Sequence, residues 1–453
     1  MNLDIVILAA GKGTRMKSSK PKVMQEFVGQ PFLQRVINTS KELDPNKIIP
    51  IIGYKADEIK NYFSNQQLDF VIQKEQLGTG HAVMQAINEI TSQLTLILYG
   101  DVPLINHELL LRLIDASKKT GIGLVTFDKN NPTGFGRIVR DDNKQKIIKI
   151  VEEKDCDHEQ KKINEINTGI MCVQSDHLKK WLAQLDNNNA QKEYYLTDII
   201  EFANKDKVEV AGIKADTETS IQGINSMEEL ILLERMYMQE KAEQLINQGV
   251  KIIDPNRIDI RGTLTCEENV TIDVGCIFEG DVLIKKNSKV GPYNIIKASQ
   301  IGENTNLNAF NHIDDALIGD NCNIGPYARI RPATTLKNNI NVGNFVEIKK
   351  SSIDDHSKIN HLSYVGDTKI GKEVNIGAGT ITCNYDGANK HQTIIEDNVF
   401  IGSDTQLIAP VVIKKGATIG AGSTITEDAP ENKLTLSRVE QKNVDNWIRP
   451  KKK

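Results

Sequence analysis

The sequence predicts two domains of different class, an α/β domain with a mostly parallel sheet followed by a parallel β-helix of hexapeptide repeats. Three observations predict this architecture. The chain has 453 residues, too many for one ordinary hydrophobic core. Apolar runs alternate with amphipathic segments over residues 1–225. Aliphatic residues then recur every six positions from about residue 250.

The first 225 residues read as alternating strands and helices. Such alternation predicts a sheet covered by helices on both faces, with ligands bound at the carboxyl ends of the strands. Functional residues are therefore expected at Ala9–Arg15 and Tyr99–Asp101. The predicted strands are Asp4–Ala10, Lys47–Gly53, Asp69–Gln73, Leu94–Asp101 and Ile122–Phe127, and the predicted helices include Pro31–Leu43, His81–Ile90 and Glu108–Lys118.

The sequence of residues 226–249 predicts a single linker helix between the two domains. Ser226 followed by Glu229 fits a capping box at its start, and Gly249 is a suitable stop. A helix of about 22 residues is ~33 Å long.

Residues 250–453 carry the hexapeptide signature, in runs such as Ile318, Ile324, Ile330 and Ile413, Ile419, Ile425. A period of six matches neither a helix nor an ordinary strand, and it is typical of a β-helix whose aliphatic side chains point inward. The repeat reads as broken at HIDDA, SSIDDHSKINHLSYVGDTK and TCNYDGANKHQT. Insertions in a solenoid form loops that often bind ligands, so loops are expected at these three places.

Composition narrows the class of protein. The formal net charge is −4, which argues against a nucleic-acid-binding protein. The chain carries no apolar run near the ~18 residues of a membrane span and no basic leader, so a cytoplasmic protein is expected.

The segment LAAGKGTRM follows the first predicted strand directly. Gly11 and Gly13 let the backbone approach a triphosphate, and Lys12, Arg15 and Lys22 supply positive charge. The alternative is a structural turn between strand and helix.

The segment YGDVPLI places Asp101 at the end of a buried strand. A carboxylate there needs a partner, and a divalent cation such as Mg²⁺ shared with phosphates would supply one. The alternative is that Asp101 caps the next helix.

These motifs, together with PKVM, QLGTGHA, GFGRIVR, VEEKD, INTGI, EYYLTDI, RPAT, NFVEIKK, HLSY, NIGAGTITCNYDGANK, GSDTQL and SRV, occur in a recognisable order. The chain resembles the bifunctional N-acetylglucosamine-1-phosphate uridyltransferase / glucosamine-1-phosphate acetyltransferase family along nearly its whole length. The resemblance implies a Rossmann-like nucleotidyltransferase domain, a left-handed parallel β-helix and a homotrimer.

The resemblance also implies roles for residues of the first domain. Arg15 and Lys22 would contact phosphates, and Asp101 and Asn225 would bind Mg²⁺. Around the nucleotide, the implied set is Leu8, Gly11, Gln73, Gly78, Thr79 and Tyr99. Around the N-acetylglucosamine moiety, it is Gly136, Glu152 and Asn167.

For the second domain, the resemblance makes His361 the general base that takes a proton from the sugar amine. Glucosamine-1-phosphate would be bound by Arg331, Lys349, Tyr364, Asn375 and Lys390. Acetyl-CoA would be bound by Asn384, Tyr385, Ser403, Ala421 and Arg438. One local departure is Lys192, which stands where the family pattern leads us to expect glycine.

The implied activity is acetylation of glucosamine-1-phosphate by acetyl-CoA, followed by uridylyl transfer from UTP. Two other readings stay open. One is a sugar nucleotidyltransferase whose β-helix is only structural, although His361, Asn384, Tyr385 and Lys390 argue against it. The other is a non-enzymatic scaffold, which the intact glycine-rich loop argues against.

Overall fold

The computed structural model describes Asn2–Lys452, so Met1 and Lys453, the outer ends of the two predicted domains, lie outside the described residues. The chain divides into two compact units, one reaching Tyr237 and the other starting at Met238. This division falls inside a single helix, Met227–Asn247. The domain limits drawn from the sequence at 225 and 249 stay predictions.

The first unit contains a nine-stranded sheet. Its strands are β1 Leu3–Ala9, β2 Lys47–Ile52, β3 Val71–Ile72, β4 Leu94–Tyr99, β5 Gly121–Asp128, β6 Arg137–Arg140, β7 Ile147–Val151, β8 Glu165–Gln174 and β9 Glu209–Lys214. The main order is β9-β5-β8-β4-β1-β2-β3, with β6 on β8 and β7 on β6. All pairs along the main path are parallel except those of β8, which is antiparallel to β4 and β5. Glu26–Phe27 and Gln30–Pro31 form a separate ribbon.

Helices cover both faces of this sheet. They are α1 Phe32–Glu42, α2 Ala56–Tyr62, α3 Thr79–Gln85, α4 His107–Thr120, α5 Ser175–Leu182 and α6 Ile199–Lys205. A further helix, α7 Met227–Asn247, contains the division between the two units. Because side chains alternate along a strand, Ile5 of β1 packs in one core with Leu113 of α4, whereas Val6 packs in the other with Trp181 of α5. The predicted doubly covered α/β sheet is confirmed.

Helix α7 begins with a modified capping box. The Ser226 hydroxyl accepts a hydrogen bond from the Glu229 amide at 3.2 Å, as predicted. The Glu229 carboxylate, however, accepts from the amide of Asn225 at 2.6 Å rather than from Ser226. The start of the helix is therefore tied directly to the position of Asn225. The helix ends at Asn247, and Gly249 follows with φ of 93°.

The second unit is a parallel solenoid with two long ladders of short strands. The eleven-stranded ladder comprises Lys251–Ile252, Thr271–Ile272, Lys289–Val290, Asn306–Leu307, Asn323–Ile324, Asn341–Asn344, Lys358–His361, Asn375–Ile376, Phe400–Ile401, Thr418–Ile419 and Leu434–Thr435. The seventeen-stranded ladder comprises Ile258–Cys266, Cys276–Ile284, Ile295–Lys297, Gln300–Ile301, His312–Asp314, Ala316–Ile318, Arg329–Ile330, Thr334–Leu336, Glu347–Lys349, Ser352–Ile353, Tyr364–Gly366, Thr368–Ile370, Ile381–Cys383, Thr393–Ile395, Gln406–Ile408, Val411–Ile413 and Thr424–Ile425.

Each turn of the solenoid advances by about three hexapeptides. Ile301 pairs with Ile318, and Ile318 pairs with Leu336 on the next coil. All three side chains are buried in the interior. The predicted β-helix of hexapeptide repeats is confirmed.

Two of the three predicted interruptions are wrong. HIDDA and SSIDDHSKINHLSYVGDTK stay within regular coils, where the inward positions are separated by five residues, as from Ile313 to Ile318. Corner residues in the left-handed region occur at the five-residue steps, such as Asp315 with φ of 45°, and equally at the six-residue steps, such as Asn321 with φ of 56°. Only TCNYDGANKHQT leaves the solenoid, since Ile370 pairs with Ile395 across it.

Candidate active sites

A cavity of about 250 Å³ opens at the carboxyl ends of β1 and β4. Its walls combine the glycine-rich loop, the end of β4 and the start of α3. Of the residues predicted for the nucleotide site, it is lined by Leu8, Gly11, Lys22, Gln73, Gly78, Thr79, Tyr99 and Asp101. Sequence reasoning had placed the chemistry at this edge of the sheet, and the structure assembles a cavity there.

The glycine-rich loop packs against Lys22. Gly13 has φ of 62°, and a side chain at this position would meet the Lys22 Cβ at 2.5 Å. Glycine is therefore required both by the backbone conformation and by the close approach of Lys22. This packing fixes the lysine beside the cavity.

Lys22 joins Asp101 to Asn225. Its ammonium group contacts the Asp101 carboxylate and donates a hydrogen bond of 2.7 Å to the Asn225 side-chain oxygen. Arg15 donates to the same Asn225 oxygen at 3.0 Å. Asn106, not Asp101, caps α4, because its side chain accepts from the Leu109 amide at 2.8 Å. The helix-cap alternative for Asp101 is therefore wrong.

The oxygens of Asp101 and Asn225 both lie within reach of one cationic group. An all-oxygen donor pair suits a hard divalent cation such as Mg²⁺. Within Asn2–Lys452, no group of three or more His, Cys, Asp or Glu side chains could hold a metal alone. An ion bound here would thus complete its coordination with substrate oxygens and water.

The three residues predicted around the sugar lie together. The Asn167 amide donates to the Gly136 carbonyl at 2.8 Å, and a side chain at Gly136 would meet the Glu152 carboxylate at 3.4 Å. Glu152 accepts a hydrogen bond of 3.0 Å from Thr197, a residue that sequence reasoning missed. Burial raises the pKa of Glu152, aided by the nearby Asp155 and Glu193 carboxylates and opposed by the Thr197 bond.

Tyr99 connects this cluster to the cavity. The Gly169 amide donates a hydrogen bond of 3.0 Å to the Asn167 side chain. Gly169 has φ of 82°, and because it has no side chain the Tyr99 ring can pack against it. Burial raises the pKa of Tyr99 well above its ordinary value of 10, with a further contribution from Glu152 and Asp101. A side-chain hydrogen bond with Thr79 opposes this rise in the pKa of the phenol.

In the second unit, His361 ends a strand of the eleven-stranded ladder and is exposed. Its Nδ1 lies 2.9 Å from the Asn344 side-chain oxygen on the preceding coil. An amide oxygen only accepts, so this contact favours the tautomer of the neutral ring in which Nδ1 carries the proton and Nε2 has the lone pair. Sequence reasoning missed Asn344, although it precedes His361 by 17 residues, the length of one coil.

Three of the predicted phosphate-binding cations lie close together. Lys349 has its pKa lowered, chiefly by the adjacent Lys390 ammonium, then by burial and by Arg331. Arg331 is paired with Glu347 at 2.7 Å. The Glu347 carboxylate offsets part of this positive charge, and Asp367 opposes the lowering of the Lys349 pKa.

Tyr364 and Asn384 meet over Gly366. A side chain at Gly366 would lie 2.5 Å from the Tyr364 hydroxyl and 2.8 Å from the Asn384 amide nitrogen. That nitrogen donates to Asp367 at 2.6 Å. Asn375 is not brought beside His361, since it pairs with Lys358 at the other end of the same strand.

The residues predicted for acetyl-CoA lie on later coils. A side chain at Gly377 would meet the Ser403 amide at 2.5 Å, and one at Gly402 would meet the Ala421 amide at 2.4 Å. A side chain at Gly422 would meet Arg438 Cδ at 3.7 Å. Tyr385 lies in the extruded loop, which is closed by its bridge to Lys390. The residues predicted for acetyl-CoA thus follow one another on coils beyond His361.

Among the described residues, no helix has the length and apolar character needed to cross a membrane.

Comparison with known proteins tests the family. Residues 5–163 match the MobA-like NTP transferase domain, residues 260–335 the GMPPB C-terminal domain, and residues 392–427 the bacterial transferase hexapeptide repeat. A UDP-glucose pyrophosphorylase structure covers 53% of this chain and 100% of its own at 19% identity, with a TM-score of 0.45.

Full-length relatives are much more similar. The bifunctional protein GlmU of Janthinobacterium sp. (strain Marseille) is 51% identical over 99% of both chains. That of Nitrosospira multiformis is 52% identical over 100% of this chain and 98% of its own. The resemblance seen in the sequence is confirmed, and this chain belongs to the family of bifunctional GlmU proteins.

Proposed function

We propose that this chain makes UDP-N-acetylglucosamine in two reactions. The second unit acetylates glucosamine-1-phosphate with acetyl-CoA, and the first unit transfers a uridylyl group from UTP to the N-acetylglucosamine-1-phosphate formed. The observation that carries the proposal is the coexistence in one chain of the Lys22–Asp101–Asn225 arrangement and the Asn344–His361 pair.

In the first reaction, a phosphate oxygen of the sugar phosphate attacks the α-phosphorus of UTP and pyrophosphate leaves. Alignment and charge neutralisation matter more than a base. Lys22 and Arg15 neutralise the phosphates, while Gly136, Glu152 and Asn167 hold the sugar. Mg²⁺ bound by Asp101 and Asn225 would stabilise the negative charge of the triphosphate.

In the second reaction, the amine of glucosamine-1-phosphate attacks the thioester carbonyl. A C–N bond forms, the C–S bond breaks and the CoA sulfur leaves. Nε2 of His361 takes the proton from the amine and returns it to the departing sulfur. Asn344 supports this role because it keeps the ring proton on Nδ1.

The cations Arg331, Lys349 and Lys390 are proposed to bind the phosphate of glucosamine-1-phosphate. Tyr364 and Asn375 would contact the sugar. Acetyl-CoA would extend along the column of Ser403, Ala421 and Arg438, with Asn384 and Tyr385 near its acetyl group.

We also propose a homotrimer in the cytoplasm. His361 is exposed on an outer wall of the solenoid, and one coil does not enclose a substrate. A neighbouring subunit would supply the opposite wall. The cytoplasm is where UTP and acetyl-CoA are available together.

To test the proposal, purified protein is incubated with glucosamine-1-phosphate, acetyl-CoA, UTP and Mg²⁺. All products are then identified by mass spectrometry. His361→Ala should stop CoA release yet still use supplied N-acetylglucosamine-1-phosphate. Asp101→Ala should do the opposite, as should chelation of Mg²⁺. A protein that uses UTP only with preformed N-acetylglucosamine-1-phosphate, and never releases CoA, has a structural β-helix and a single activity.

A further inference from the structure

The nucleotide cavity contains one buried amide whose orientation is fixed by the protein. Gln73 lines the cavity and is only 3% exposed. Its Nε2 lies 3.2 Å from the Gly78 carbonyl oxygen and 3.1 Å from Nδ1 of His81. A carbonyl oxygen can only accept, so the nitrogen of the amide, and not its oxygen, faces Gly78.

This orientation makes His81 Nδ1 the acceptor of the Gln73 amide. The Gln85 amide nitrogen lies 3.2 Å from the other ring nitrogen of His81 and donates to the His81 carbonyl oxygen, also at 3.2 Å. Both hydrogens of the Gln73 amide are then engaged. No protein donor within Asn2–Lys452 reaches Gln73 Oε1. The amide therefore offers a hydrogen-bond acceptor to a ligand in the cavity.

We infer that His81 is a positioning residue that sets the base selectivity of the nucleotide site by holding the Gln73 amide with its oxygen toward the base. The inference rests on the proposed uridylyl transfer. Uracil carries a donor at N3, which Gln73 Oε1 accepts. Cytosine carries an acceptor at N3, which the same oxygen repels. His81 itself is absent from the cavity lining and acts only through Gln73.

Loss of the His81 ring removes one of the two restraints on this amide. The amide can then turn and present its nitrogen, which is the donor that cytosine N3 requires. Discrimination depends on the penalty for an unpaired buried polar group, so a single hydrogen bond changes it by about tenfold or more.

The experiment measures kcat/KM for UTP and for CTP with N-acetylglucosamine-1-phosphate as acceptor. His81→Leu should lower the UTP/CTP ratio by about tenfold. His81→Asn should restore most of it, because its side-chain oxygen lies near the position of Nδ1. His81→Gln keeps a polar side chain but carries its amide farther out, so it should behave like His81→Leu.

His158→Leu is the matched control, since His158 is a histidine of the same unit whose side chain is 86% exposed. The UTP/CTP ratio of kcat/KM for His158→Leu should equal that of the wild-type chain. CoA release by the second unit reports that each variant chain is folded in that unit, and near-ultraviolet circular dichroism compares the first unit.

A double-mutant cycle separates positioning from general structural damage. If His81 acts through Gln73, His81→Leu changes nothing further in a Gln73→Ala background. An unchanged UTP/CTP ratio in His81→Leu, or an equal change with and without Gln73, overturns the inference alone. A wild-type chain that uses no UTP overturns the proposed function as well, so the two failures are distinguishable.

Discussion

Replacing Gly169 with alanine should damage the first unit by displacing Tyr99. Gly169 has φ of 82°, and an alanine Cβ there would lie 2.5 Å from ring carbon Cε2 of Tyr99 and 2.9 Å from its hydroxyl oxygen. A non-glycine residue in the left-handed region costs about 1–2 kcal/mol. Forcing an extra carbon into a packed site costs a further 1–3 kcal/mol or so, which gives a total of about 2–5 kcal/mol.

Gly134→Ala provides the matched control. Gly134 has a similar φ of 88°, but no atom lies within 4 Å of a side chain placed there. Both variants therefore include the backbone penalty, and only Gly169→Ala adds the collision. The difference between their losses of unfolding free energy, about 1–3 kcal/mol, measures the collision with Tyr99.

The assay is urea unfolding followed by tryptophan fluorescence. The chain has two tryptophans, of which Trp181 is buried in the first unit, whereas Trp447 is already 68% exposed. The emission change therefore reports mainly on the first unit. Gly169→Ala should also reduce uridylyl transfer while leaving CoA release unchanged. Equal stability losses in the two variants would show that Tyr99 moves aside freely and would refute the reasoning.

Three further predictions concern other positions. Lys192→Gly should stabilise the first unit by up to ~1 kcal/mol in the same urea assay, because Lys192 has φ of 58°. Glycine removes the backbone strain of that conformation, and this gain exceeds the extra conformational entropy that glycine loses on folding. A loss of stability would contradict this prediction. Asn344→Ala should lower kcat for acetyl transfer by about 10–100-fold and change its pH profile, with uridylyl transfer as the unaffected control. Burial raises the pKa of Asp4, but hydrogen bonds from Ser92, Thr91 and Asn46 outweigh it, so the folded pKa is depressed. The stability that ionised Asp4 contributes is then present above its unfolded pKa of about 4 and lost as pH falls through the folded value. Thermal unfolding of Asp4→Asn should therefore show a wild-type advantage at pH 7 that shrinks toward pH 3, and an unchanged gap would be the contrary result.

The sequence by itself determined the two classes of fold, because each class gives the apolar residues a characteristic spacing. That spacing can be read within a single strand or a single coil. Successive side chains of a strand point to opposite faces of the sheet, so the neighbouring apolar residues Ile5 and Val6 require an apolar core on each face. Aliphatic residues at every sixth position require a β-helix with an apolar interior. It also located Asp101 and the glycine-rich loop, since the ends of parallel strands meet at one edge of a sheet.

Only the tertiary structure decided which distant residues touch. The contacts of His81 with Gln73, of Asn344 with His361 and of Lys22 with Asn225 depend on the course of the chain between them. The expected loops at HIDDA and SSIDDHSKINHLSYVGDTK were wrong for the same reason. A five-residue step breaks the sequence period but not the ladder, because the strands on both sides of the step stay paired with those of the neighbouring coil, as in Ile296 with Ile313 and Ile301 with Ile318.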